Sequence, residues 1–111
     1  MRFVPTLVHG IADYIVGVGM IALAFLAGAD GIGFYAFLLL GAFAIAYSLA
    51  TNYELGWKPI LTMPAHLALD AAFAAVMLLM PLIFALPPLL AWASGLIGLM
   101  AAVLVATTKM R

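Results

Sequence analysis

Long apolar runs make up most of this chain, and only three short breaks of polar residues, glycine or proline interrupt them. The runs extend from about Leu7 to Ala27, Gly33 to Leu49, Pro64 to Phe84 and Leu89 to Ala106. Roughly 20 residues at about 1.5 Å each cross the hydrocarbon core of a bilayer, so each run is long enough for one helical crossing. None alternates with the period of two that a membrane barrel strand needs, so helices are predicted throughout. The breaks agree with local chemistry. Gly28-Ala29-Asp30-Gly31 is a flexible turn, Asn52 to Pro59 is the longest polar stretch, and Leu86-Pro87-Pro88 is a stiff corner. The expected fold class is an all-α integral membrane four-helix bundle of two transmembrane hairpins, forming a single transmembrane domain over residues 1–111.

Composition sharpens this picture. Of 111 residues 69% are hydrophobic and 7% charged, with a mean hydropathy of +1.33, whereas soluble domains are about half apolar and a quarter charged. The chain has no cysteine, which removes disulfides and thiolate metal sites. Its formal net charge is zero, so it offers no basic face to nucleic acid and no polybasic run to anionic lipid. The first apolar run contains His9 and Asp13 and is taken as the first span, not as a cleaved signal.

Arg2, Lys58, Lys109 and Arg111 fall at the two ends and in the middle connection, which four crossings place on one side. The other two connections hold no Lys or Arg. The positive-inside rule then puts both termini in the cytoplasm. Trp57, Tyr53 and Tyr35 fall near span ends, as interfacial aromatics do, with Trp92 just inside the fourth span.

A gapless shift of 57 residues superposes His9 on His66, Asp13 on Asp70, Met20 on Met77, Leu39 on Leu96, Gly41 on Gly98 and Thr51 on Thr108. Such a period predicts an internal duplication of a helical hairpin, with one copy over about residues 1–54 and the other over about 58–111. Two crossings per copy make the arrangement parallel, about an axis along the membrane normal.

Three segments carry a family resemblance: His9 to Tyr14, Tyr47 to Gly56 and Met63 to Asp70. Together they resemble small bacterial membrane proteins of the SPW repeat type, over nearly the whole chain. The resemblance implies two hairpin repeats in a bacterial plasma membrane and carries no activity. At the places of the Ser-Pro-Trp triplet this chain reads Ala22-Leu23-Ala24-Phe25 and Leu79-Met80-Pro81-Leu82, keeping only the proline.

The candidate chemistry lies in two His-x-x-x-Asp segments, His9 with Asp13 and His66 with Asp70. The i,i+4 spacing sets each pair on one helix face, near the cytoplasmic end of its span. An ionisable side chain facing lipid costs about 2.5 kcal/mol or more, so all four are expected to turn inward and become neighbours. Three roles compete for them. Each Asp can accept a hydrogen bond from its own or the opposite His and join the helices, at about 1 kcal/mol per bond. The four can bind a divalent metal such as zinc, with Glu54 as a further ligand or proton acceptor. His9 and His66 can also be axial ligands of a haem or chlorophyll-type group, with the aspartates orienting them and Gly10, Gly17 and Gly19 opening space.

No nucleophile pattern or phosphate-cradling loop is present. Ser48 and Ser94 are lone hydroxyls, and Ser48 is expected to bond its own helix backbone. Met20, Met77, Met80 and Met100 are scattered and read as core filling. Tyr14, Tyr47 and Tyr53 either extend a hydrogen-bonded network or sit at the interface. The role read from the sequence is a non-enzymatic accessory or scaffold protein in the bilayer, packed against copies of itself or within a larger membrane complex. The second reading is a metal or proton binding or transport element built on the His-Asp cluster.

Overall fold

The computed structural model describes residues 2–28 and 30–110 and folds as four α-helices: α1 (Thr6–Leu26), α2 (Gly31–Leu49), α3 (Met63–Ile83) and α4 (Pro88–Thr107). At about 1.5 Å per residue, helices of 19 to 21 residues match the hydrocarbon thickness of a bilayer. All four are apolar enough to span it. The bounds differ from the apolar runs by one or two residues, because caps and prolines set the ends. α3 starts where the Thr62 hydroxyl accepts the Ala65 N–H at 3.3 Å, with Pro64 in its first turn. The first turn between helices uses left-handed backbone at Gly28 (φ 62°) and Gly31 (φ 59°), which glycine adopts without a Cβ clash. Ala29 of that turn and Arg111, counted among the one-sided cations, lie outside the described residues.

α1 packs along α2 and α3 along α4, whereas the α1–α4 and α2–α3 contacts are sparse. Glycine permits the close approach within each hairpin. A Cβ on Gly41 would stand 2.7 Å from the Gly17 carbonyl oxygen, and one on Gly98 would stand 3.1 Å from that of Ala74. Met20, Phe37, Met77 and Leu90 fill the interior and are fully buried.

The 57-residue offset recurs in the coordinates. It carries α1 onto α3 at both ends and the start of α2 onto the start of α4. Outside the helices, Val4 forms a parallel bridge with Thr108, and Leu61 forms one with Thr51. The N–H groups of Phe3 and Val4 donate to the Thr107 carbonyl at 2.8 and 2.9 Å, and those of Ile60 and Leu61 donate to the Ala50 carbonyl at 3.0 and 2.7 Å. Each of these backbone bonds in the first knot has its counterpart in the second at the same offset, and both knots tie one hairpin to the other. They gather the N-terminal segment, the Ala50–Thr62 connection and the C-terminal segment at one end of the bundle.

Candidate metal centre

Both histidines occupy the fourth position of their helices, just beneath the knots, and both are fully buried. His9 Nε2 lies 2.6 Å from Asp70 Oδ2 and 3.2 Å from Asp13 Oδ1. His66 Nε2 lies 3.0 Å from Asp13 Oδ2 and 3.1 Å from Asp70 Oδ2. Each imidazole therefore faces one carboxylate of its own helix and one of the opposite hairpin. The shortest contact crosses between hairpins. The four donor atoms lie within 4.8 Å of one another, and the two rings meet edge to face at 5.3 Å. The sequence-derived site residues are thus brought together, at the predicted end of the bundle.

Each of the four is also bonded to a hydroxyl, on the atom turned away from the cluster for His9, His66 and Asp70 and on Oδ2, which faces His66, for Asp13. Thr108 Oγ1 lies 2.7 Å from His9 Nδ1, and Thr51 Oγ1 lies 2.7 Å from His66 Nδ1. Tyr47 donates its phenolic proton to Asp70 Oδ1, and Tyr53 donates to Asp13 Oδ2 at 2.7 Å. The Thr51 hydroxyl also donates to the Tyr47 carbonyl at 2.6 Å. With that proton committed, the Thr51 oxygen accepts from His66 Nδ1–H, which fixes the ring and turns Nε2 toward the carboxylates. His66 Nε2 is buried between two carboxylate oxygens and in hydrogen-bonding line with neither.

Several sequence expectations are corrected here. Of the two places expected for Tyr53, network or interface, it takes the network: it is 6% exposed, because the Ala50–Thr62 connection folds over α1 and seats the ring against Gly10. Burial there, with the Asp13 carboxylate alongside, pushes the Tyr53 phenol above its ordinary value. Glu54 stands apart from the four donors: its carboxylate accepts the Thr6 hydroxyl at 2.7 and 3.0 Å. Ser48 makes no bond to its helix backbone; its buried Oγ lies beside the Tyr53 phenol without completing a hydrogen bond. Ser94 instead donates across to the Met77 carbonyl at 2.6 Å. Tyr14 reaches the Leu55 carbonyl at 2.8 Å, away from the cluster. Gly10 and Gly17 admit Tyr53 and Ile45 respectively, and Gly19 has open space beside it, so none opens a chamber next to the histidines.

Tyr47 and Tyr53 take the network position that was one of their two expected places, whereas the role of the threonine hydroxyls was not singled out by sequence reasoning. The one visible signal for the threonines is the Thr51–Thr108 match at the same offset that pairs the histidines and the aspartates. Toward the middle of the bundle the cluster adjoins a cavity of about 20 Å³, and the core beyond it is closed by Met20, Phe37, Met77 and Leu90. Comparison with known protein families, with curated proteins and with solved structures gives no match.

Proposed function

We propose that this chain is a small, non-enzymatic membrane protein that holds one divalent transition metal ion of the zinc type between His9, Asp13, His66 and Asp70. The observation that carries this reading is the convergence of both Nε2 atoms and an oxygen of each carboxylate within 4.8 Å, with each of the four residues also bonded to a hydroxyl. Metal-binding imidazoles and carboxylates use such partners to fix the ring tautomer and aim the lone pairs, and His66 Nε2, bonded to neither of the carboxylate oxygens beside it, is left directed into the cluster. Zinc bonds of about 2.0–2.2 Å in a tetrahedron place neighbouring donors about 3.3–3.5 Å apart. The nitrogen–oxygen separations of 3.0, 3.1 and 3.2 Å need only a slight opening, and the 2.6 Å contact of His9 with Asp70 a larger one, in which the ion replaces their hydrogen bond. Two carboxylates with two neutral imidazoles balance a divalent ion, which suits a low-dielectric interior. The absence of sulfur and the mixed nitrogen and oxygen donors favour zinc over copper(I), calcium or magnesium.

Further features support the surrounding picture. The offset that relates helices, knots and ligands supports a duplicated hairpin, which is also what a relationship to the SPW repeat type implies. Arg2, Lys58 and Lys109 at the end that holds the cluster support a cytoplasmic placement of that end. Exposed apolar side chains such as Trp92, Leu96, Leu99 and Val103 on α4 suit lipid, copies of this chain or a larger complex. The closed core favours binding from one side over passage through the bundle. A macrocycle between the histidines is disfavoured, because rings 5.3 Å apart with carboxylates between them leave it no room. The second reading, a polar clamp without metal, draws on the direct 2.6 Å contact of His9 with Asp70.

The test is metal analysis of protein purified from membranes, followed by zinc titration of the stripped protein. One tightly held ion per chain, lost in His66→Ala and Asp70→Asn, is the expected result. At a hundredfold excess over Kd, zinc should add about 2.7 kcal/mol of stability. Protein that neither retains zinc nor gains stability from it refutes the metal reading and leaves the clamp.

A further inference from the structure

The cavity beside the cluster breaks the internal match between the halves in an informative way. Most of its lining falls into pairs related by the 57-residue offset: Asp13 with Asp70, Val16 with Phe73, Ala44 with Ala101 and Tyr47 with Leu104. The cavity therefore sits between the halves, against both carboxylates. Two lining residues have no counterpart in it. Ala12 on α1 and Met100 on α4 correspond to Leu69 and Phe43, which line a separate groove on the α2–α3 flank with Leu40, Ala72, Phe73 and Val76. That second groove has no polar member. On the α1–α4 flank a methyl group stands where the opposite flank carries a leucine, and Met100 is 39% exposed at the outer edge. The hairpins are thus separated down to the carboxylates on one flank and sealed by larger side chains on the other.

We infer that the cavity is a water site and that this water is the exchangeable ligand position of the metal centre. A volume of about 20 Å³ exceeds the roughly 10–15 Å³ that one water needs. Asp13, Asp70 and Tyr47 supply the two to four polar partners that make a buried water stable, which an apolar void lacks. A bound ion with four protein donors and room for one water on one side resembles centres that expand to five ligands, not sealed structural ones. The ligand class is therefore small and uncharged, water or a molecule of similar size.

This position as a metal ligand rests on the metal reading above; the water site itself does not, and the experiment separates the two. In metal-free protein with labelled alanine methyls, water-to-methyl magnetisation transfer is measured at Ala44, which is 3% exposed and meets water only through the cavity. The Ala44 signal should be present in the wild type and lost in Ala12→Leu/Met100→Phe, which installs the side chains of the sealed flank on the open one. Leu69→Ala/Phe43→Met serves as the control for folding and should keep the signal. In cobalt-loaded protein, the wild type should show one exchangeable oxygen in ¹⁷O-enriched water and weaker visible bands than the plugged variant, whose bands strengthen as the centre falls to four ligands. No water transfer at Ala44 in the wild type overturns the inference. Transfer at Ala44 with identical cobalt spectra in wild type and plugged variant overturns the ligand role and keeps the water site, and failure to bind cobalt at all refutes the metal reading alone.

Discussion

Replacing Thr51 by valine removes one hydroxyl and keeps the shape of the side chain. In the native fold that oxygen accepts from His66 Nδ1 at 2.7 Å and donates to the Tyr47 carbonyl at 2.6 Å. Valine leaves the imidazole N–H buried without an acceptor, in a place that water does not reach, since Thr51 is 1% and His66 0% exposed. An orphaned buried donor costs about 1–3 kcal/mol, and this is the expected loss of stability for Thr51→Val in detergent micelles. Metal affinity should fall about 10–100-fold, because the ring is no longer aimed. Thr51→Ser keeps the hydroxyl and loses a methyl, so it should retain most of both properties. Unfolding followed by circular dichroism gives the first quantity, and chelator competition for zinc gives the second. Thr108→Val tests the matching position and should weaken zinc binding to a similar degree. The reasoning is refuted if Thr51→Val is as stable as the wild type and binds zinc equally well, or if Thr51→Ser fails as badly, since the methyl would then be the group that matters.

Two further substitutions probe the connection that covers α1. A Cβ on Gly56 would lie 1.8 Å from the Thr51 carbonyl oxygen, so Gly56→Ala should force the connection open, cost about 1–3 kcal/mol and lower zinc affinity as Thr51→Val does; unchanged stability and affinity would show that the turn gives way freely. The raised Tyr53 phenol predicts an alkaline effect: the unfolded chain ionises near pH 10 while the folded phenol holds its proton, so its share of stability is intact below about pH 10 and declines as pH rises further. Tyr53→Phe should therefore lose less stability than the wild type between about pH 8 and pH 11, and equal losses in unfolding midpoint would contradict the assignment.

The architecture was legible in the sequence because its cause is simple. Four apolar stretches of membrane length admit one solution, and the prolines at 64, 87 and 88 mark helix ends within a residue or two. The convergence of His9, Asp13, His66 and Asp70 was legible for a related reason, since lipid tolerates none of them and the i,i+4 spacing gives each pair one face. What surrounds them was not legible. Tyr53 has the composition of an interfacial residue and turns inward only because Gly10 on another element leaves space for its ring. Ser48 and Thr51 look alike as helix-end hydroxyls, and only the position of α3 decides that Thr51 meets a histidine. The closure of one flank by Leu69 and Phe43 is written in apolar residues, which carry no signal by themselves; it becomes visible when they are set against Ala12 and Met100 across the offset.

The two knots beside the cluster also bear on how the protein is made. Because Val4 is fastened to residues 107–109, the segment before α1 has no place to dock until α4 has been translated. His9 and Asp13 enter the bilayer first and wait there for partners that arrive with α3, and His9 gains its supporting hydroxyl only with Thr108. Until α3 is in place the bilayer holds half a centre, each ionisable group facing lipid at a cost of about 2.5 kcal/mol or more, and the docking of α3 and Thr108 conceals those groups together.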